Sequence, residues 1–250
     1  FLRFAHLSSR SGLMQNTVNR IYQDSSGLIW LATQGGLHRY DGYQFQVYQH
    51  EPGNPASLSD SFITDMVEDA HGRLWVGTLN GGLNRLDIAT GLVRRYGMPE
   101  GLSHDTVIQL VISHDKLWIG TGLGLDRLDL TDEHIEHIPL GGTATAGVTA
   151  LSPAPDHALY LGTPNAGVLR LDIASRRVTP LPLPEIGSGR VNALYQDPNG
   201  SLWIASGERL WRHRLAEGRT ELAWQADIDK QGANNRWIAA IQPDRQGQLW

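Results

Sequence analysis

Apolar and polar residues alternate along this chain in short runs, and Gly, Asp and Asn cut one run from the next. Period-two alternation over so few residues favours half-buried strands over helices. A first run, "VNRIYQD" from Val18, recurs as "FITDMVED", "VIQLVIS", "VTALSPA", "VNALYQD" and "IAAIQPD". Each is followed by a run with a central aromatic, such as "LIWLAT" or "LWVGT". A third run ("GLHRYD", "GLNRLD") and a fourth ("FQVYQH", "LVRRYG") complete the set. The pattern predicts four short strands, taken in order and then repeated.

The repeat has a measurable period. The aromatic of the second strand falls at Trp30, Trp75, Trp118, Tyr160, Trp203 and Trp250, so the intervals are 45, 43, 42, 43 and 47 residues. Four strands in each repeat of about 40–50 residues mark a β-propeller. The expected fold is all-β, a propeller of four-stranded antiparallel blades. Five units span residues 18–50, 62–97, 107–139, 148–183 and 191–225, and a partial sixth spans 238–250. The sixth stops in its second strand, so residues 1–250 read as one incomplete domain, a fragment of a seven-bladed ring. The leading "FLRFAHLS" reads as an outer strand of the last blade.

The turns support this register. Asp24–Gly27, Asp69–Gly72, Asp197–Gly200 and Asp244–Gly247 bracket hairpin loops between first and second strands. Asp bonds its own backbone two residues on, and Gly accepts positive φ. Tyr40-Asp41-Gly42-Tyr43 is the strongest hairpin signal, between the third and fourth strands of unit one. Ala32, Gly77, Gly120, Gly162 and Ala205 follow the aromatic at a fixed distance. Small residues there would let neighbouring blades approach while the aromatic fills the wedge between them.

Charge and composition narrow the function classes. The net charge is −5, and no Lys/Arg block exceeds the pairs Arg94-Arg95 and Arg176-Arg177, which argues against a nucleic-acid surface. No apolar run reaches the length of a membrane span, so any membrane link must come from segments beyond this sequence. The absence of cysteine removes disulfide and thiolate chemistry. No cofactor motif is present: "GTGLGLDR" from Gly120 lacks the third glycine and helix of a dinucleotide fingerprint.

"VNRIYQDSSGLIWLATQGGLHRYDGYQFQVYQH" resembles the two-component regulator propeller repeat. "FLRFAHLSSRSGLMQNTVNRI" and "PGNPASLSDSFITDM" resemble the usual start of such regions and their bridge into a second unit. The likeness is strong in units one, two, three and five and weaker in unit four, where Tyr160 replaces Trp. The resemblance implies a non-catalytic, ligand-sensing ectodomain on the periplasmic side of an inner-membrane receptor. The implied output is a histidine kinase or a diguanylate cyclase, the implied ligand a small molecule or oligosaccharide, and the implied partner a second receptor chain.

In a propeller the chain reaches each innermost strand from one face, so residues just before those strands should ring the channel mouth. These are Asn16, Asp60, His104, Thr145, Arg190, Arg236 and Trp237, with Asn19, Thr64, Gln109 and Asn192 following on the first strands. They form either a polar, aromatic-edged funnel for a sugar or a set of caps and ties between blades. Arg190, Arg236 and Trp237 are the most sugar-like members. A lyase or glycosidase at the same mouth would need convergent carboxylates, for which Asp60 and Asp105 are the candidates. A protein-interaction scaffold is a further alternative.

Other chemistry finds no footing. His134 and His137 lie three apart in a strand-like run and so face opposite sides, which disfavours a metal site. The Asp-to-Gly loops lack the ligand series and late Glu of a calcium loop. "IGSGR" around Ser188 lacks the spacing of a nucleophile elbow.

Overall fold

The computed structural model describes residues 8, 12–141, 147–226, 237–244 and 246–250. Twenty strands group into five four-stranded antiparallel sheets, each taken up in sequence order. The first is β1 (Val18–Gln23), β2 (Ile29–Thr33), β3 (Gly36–Tyr40) and β4 (Phe45–Tyr48). The second is β5 (Ile63–Glu68), β6 (Arg73–Thr78), β7 (Leu83–Asp87) and β8 (Val93–Tyr96). The third is β9 (Val107–Ser113), β10 (Lys116–Thr121), β11 (Gly124–Asp129) and β12 (Ile135–Ile138). The fourth is β13 (Ala150–Ala154), β14 (Ala158–Gly162), β15 (Val168–Asp172) and β16 (Arg177–Pro180). The fifth is β17 (Ala193–Gln196), β18 (Ser201–Ser206), β19 (Arg209–Arg214) and β20 (Arg219–Gln225). Beyond them, Pro243 and Leu249 form an isolated antiparallel bridge.

First strands of successive sheets touch one another (β1 with β5, β5 with β9, β9 with β13, β13 with β17). The first strand is therefore innermost and the sheets radiate as blades. In the first four blades the aromatic of the second strand packs into the following blade. Trp30 joins Ile63, Met66 and Leu86, Trp75 joins Val107, Leu110 and Leu128, and Trp118 joins Leu151, Leu159 and Leu171. Tyr160 packs on Val191, Leu194 and Ile204. Trp30, Trp75 and Trp118 are fully buried, whereas Trp203 is half-buried and Trp250 exposed.

The glycine that follows the aromatic in blades two, three and four is required sterically. A Cβ on Gly77 would lie 2.6 Å from Val107 Cγ1, and one on Gly162 would lie 2.7 Å from Val191 Cγ1. Blade spacing at the inner ring is thus set by valine against glycine.

The hairpin aspartates do more than turn the chain. Asp24, Asp69, Asp197 and Asp244 accept the following Gly amide on their own carbonyls, and those glycines have φ of 91°, 72°, 79° and 79°. Oδ1 accepts amides two and four residues on, and Oδ2 accepts the indole N–H of the Trp six residues on. The indole bonds are 2.8 Å for Trp30 and Trp75, 2.9 Å for Trp203 and 3.2 Å for Trp250. One carboxylate therefore fixes both the turn and the buried wedge. These hydrogen bonds hold the Asp24 and Asp69 carboxyls below the ordinary range, although burial works the other way. Trp118 has no such aspartate: His114 and Asp115, both at positive φ, make a tighter turn, and the indole donates to Ser113 O.

A second device anchors the incoming chain. His38, Asn84 and Asp126 are buried at equivalent places on the third strands. They accept the amides of Met14, Ser59 and Ser103, each four residues before its blade's first strand. Burial holds the His38 imidazole below its usual range, which suits a neutral ring accepting through Nε2.

Candidate functional site

The inner ends of the first strands depart from strict alternation. Opposite β2, β1 carries one residue too many between Val18 and Arg20. β5 does the same between Ile63 and Asp65, and β9 between Val107 and Gln109. A β-bulge leaves its extra residue unpaired and re-aims the neighbouring side chains. Two consecutive residues of each strand then reach the same central space: Asn19 with Arg20, Thr64 with Asp65, Ile108 with Gln109.

That space is a cavity of about 350 Å³. One wall comes from these three strands and is polar. The other comes from Thr149, Asn192, Ala193 and Leu194, and from Ala239, Ala240 and Ile241 of the sixth unit. Where blades one to three place Arg20, Asp65 and Gln109, blades four to six place Ala150, Ala193 and Ala240. Arg190 and Trp237 stand before their first strands and complete the lining, with the guanidinium 5.9 Å from the ring centroid. Trp237 is 54% exposed.

Part of this polar wall is committed to holding blades together. Asn19 Nδ2 donates to Ile63 O at 2.7 Å, and Gln109 Oε1 accepts from Leu151 N at 2.7 Å. Asp65 Oδ2 accepts from Leu110 N at 2.8 Å, and Thr149 Oγ1 donates to Val191 O at 2.6 Å. Each bond runs from one first strand to the next. Arg20 Nε lies 3.2 Å from Asp65 Oδ1 but outside hydrogen-bond geometry, so the contact is an ion pair between blades one and two.

The rest of the wall is unsatisfied. Thr64 Oγ1, Asn192 Nδ2 and Asp65 Oδ1 are buried and have no hydrogen-bond partner among the described residues. Such groups cost about 1–3 kcal/mol each when left unpaired. Burial pushes the Asp65 carboxyl above the ordinary aspartate range, and Arg20 and the amides of Leu110 and Met66 oppose this without reversing it. The residues that carry these three atoms line the cavity, although the atoms themselves are shut off from solvent.

The expected residues divide accordingly. Asn19, Thr64, Gln109, Arg190, Asn192 and Trp237 line the cavity. Asn16, Asp60 and His104 lie outside its lining. Asp60 accepts the amides of Phe62 and Asn80, and His104 Nδ1 accepts that of Thr106, so both cap their loops. Asp105 likewise accepts the amide of Met98. Arg236, Thr145 and the leading "FLRFAHLS" up to Leu7 lie outside the described residues. Strict alternation missed Arg20 and Asp65, because it sends them to the face opposite Asn19 and Thr64. The pair His134 and His137 does not converge: His137 Nδ1 instead pairs with Asp126 Oδ1 at 2.9 Å.

Radial four-stranded blades around a central cavity define a β-propeller. The model of the two component regulator propeller matches residues 12–35, 57–80 and 185–208. These are the three complete blades in which Asp precedes a hydrogen-bonded Trp by six residues. Those three segments, under half of the chain, are what it shares with the two-component regulator propeller repeat. The extracellular domain of a protein described as the hybrid two component system BT3049 of B. thetaiotaomicron superposes with a TM-score of 0.79 at 25% identity over 96% of the chain. The extracellular domain of BT4673 from the same organism, described as a one component system, gives 0.73 at 21% identity over 93%. The chain spans 32% and 37% of those two structures. A Histidine kinase P4 of Formosa agariphila is 36% identical over 56 residues, 22% of the chain and 4% of the kinase.

Proposed function

We propose that this propeller is the extracytoplasmic ligand-sensing region of a bacterial membrane receptor, and that a saccharide enters its central cavity. The likeness to extracellular domains of two-component systems supports the sensing role, and the histidine kinase relative supports a kinase output. The observation that carries the ligand reading is the cavity itself. It joins polar side chains, among them Asn19, Gln109, Arg190 and Asn192, to an alanine-lined wall and an exposed indole at Trp237. A sugar has the matching surfaces: hydroxyls around its edge and C–H groups on its faces. A carbohydrate lyase or glycosidase is less well served, since Asp65 is the one carboxylate of the lining among the described residues and hydrolysis ordinarily uses two.

Signalling then requires that the saccharide bind one arrangement of paired receptor chains more tightly than another. The test is a saccharide array on the full-length receptor, read by tryptophan fluorescence and thermal shift. Binding that is weakened at least tenfold by Trp237→Ala supports the reading. Absence of any saccharide that shifts the melting temperature would sink it.

A further inference from the structure

We infer that the cavity selects a carboxylate-bearing saccharide over its neutral counterpart, with Arg20 and Arg190 as the specificity-determining residues; this rests on the central cavity being the ligand site. Three charged side chains line it: Arg20, Asp65 and Arg190. The balance is one positive charge in excess, in a chain whose net charge is −5. Asp65 does not offset both cations. It is 3% exposed, its Oδ2 is taken by the Leu110 amide, and its Oδ1 faces Arg20 Nε at 3.2 Å.

Asp65 therefore acts on Arg20 as a rear anchor. Asp65 Oδ1 faces the Nε edge as an ion pair without a hydrogen bond, and no residue among those described accepts from the two terminal nitrogens. The Arg20 side chain is 34% exposed and Arg20 lines the cavity. Arg190 is arranged alike: its Nε donates to Asn192 Oδ1 at 3.1 Å, and its plane lies by the Trp237 ring. Its terminal nitrogens also meet no acceptor among the described residues. Two guanidinium groups, one ion-paired at Nε and the other hydrogen-bonded through it, each with the outer fork left open, suit a planar carboxylate, which accepts bidentate N–H donation. The indole beside Arg190 supplies an apolar face for the ring that bears it.

The experiment compares matched pairs on the full-length protein by titration calorimetry: glucuronate against glucose, galacturonate against galactose, and the corresponding disaccharides. The expected result is that at least one acid binds about tenfold or more tightly than its neutral partner, the loss typical of one charged hydrogen bond. Arg190→Gln, at an exposed position, should remove most of that preference with the melting temperature unchanged. Arg20→Lys should retain charge yet lose the bidentate fit and most of the preference, and Arg20→Gln should lose more. Equal affinity within a pair, or a preference that survives Arg190→Gln and Arg20→Gln, would overturn the inference. If neutral sugars alone bind, the charge selection fails while the saccharide site stands; if no sugar binds, both fail.

Discussion

Replacing Asp69 with alanine strikes the wedge where it is most connected. The carboxylate accepts from the amides of His71 and Arg73, from Arg73 Nε at 2.7 Å and from Trp75 Nε1 at 2.8 Å. Alanine strands the indole N–H of a tryptophan with no solvent exposure, at a cost of about 1–3 kcal/mol. The turn amides lie near solvent and regain water, so their loss adds only about 1 kcal/mol. Arg73 keeps a contact with Glu133 at 3.5 Å and adds little. The expected destabilisation is about 2–4 kcal/mol, in the range of a broken buried network. Trp75→Phe removes the donor instead. In the double variant no N–H is stranded, so its cost should fall short of the summed single costs by about 1–3 kcal/mol. Urea unfolding of the four chains, followed by far-ultraviolet circular dichroism, measures the difference. Additivity to within about 0.5 kcal/mol would refute the claim that the indole bond couples turn and wedge.

Four further outcomes follow from the same geometry. Gly162→Ala should cost about 1–3 kcal/mol by overpacking against Val191, and Val191→Ala should recover part of it; a neutral Gly162→Ala in thermal unfolding would contradict the valine-on-glycine spacing. Thr64→Val removes a buried hydroxyl that has no partner among the described residues, so stability should hold or rise; a loss above about 1 kcal/mol in urea unfolding would mean the hydroxyl is satisfied. Asp69, whose folded carboxyl is depressed, contributes stability that is whole above about pH 4 and lost as pH falls through the folded value, so Asp69→Ala should show a flatter acid limb. Asp65 is raised, so its sign is opposite: stability falls as pH climbs from about 3.9 through the raised value, and Asp65→Asn should abolish that slope. Parallel pH profiles for wild type and either variant would contradict the assignment.

What repeats along the chain writes the fold, and what breaks the repeat writes the site. The propeller was legible because every blade solves one packing problem with one set of residues: an aromatic, a small neighbour and a valine or isoleucine from the next blade. Trp75, Gly77 and Val107 state that solution, and so do Tyr160, Gly162 and Val191 despite the changed aromatic. The indole bond was less legible, since the turn alone accounted for the aspartate; only the constant spacing of six residues carried it. The cavity was half legible. Polar residues at Asn19, Thr64, Gln109 and Asn192 are anomalous on strands that are otherwise core, and that anomaly points inward. Arg20 and Asp65 stayed hidden because the bulges on β1 and β5 shift a side chain across the sheet, and a bulge on an inner strand has no sequence marker here. Asp60 and His104 misled for the opposite reason: a polar residue before a strand has local amides to cap, and these two cap them. The same comparison of blades explains why the wall is two-sided. Alanine at 150, 193 and 240 is what the position tolerates when packing alone decides, so arginine, aspartate and glutamine at its counterparts 20, 65 and 109 require another cause. Inter-blade bonds account for Gln109 and for one oxygen of Asp65. They leave Arg20, a residue of the cavity lining, with no acceptor among the described residues for its outer nitrogens, which is what the proposed carboxylate would supply.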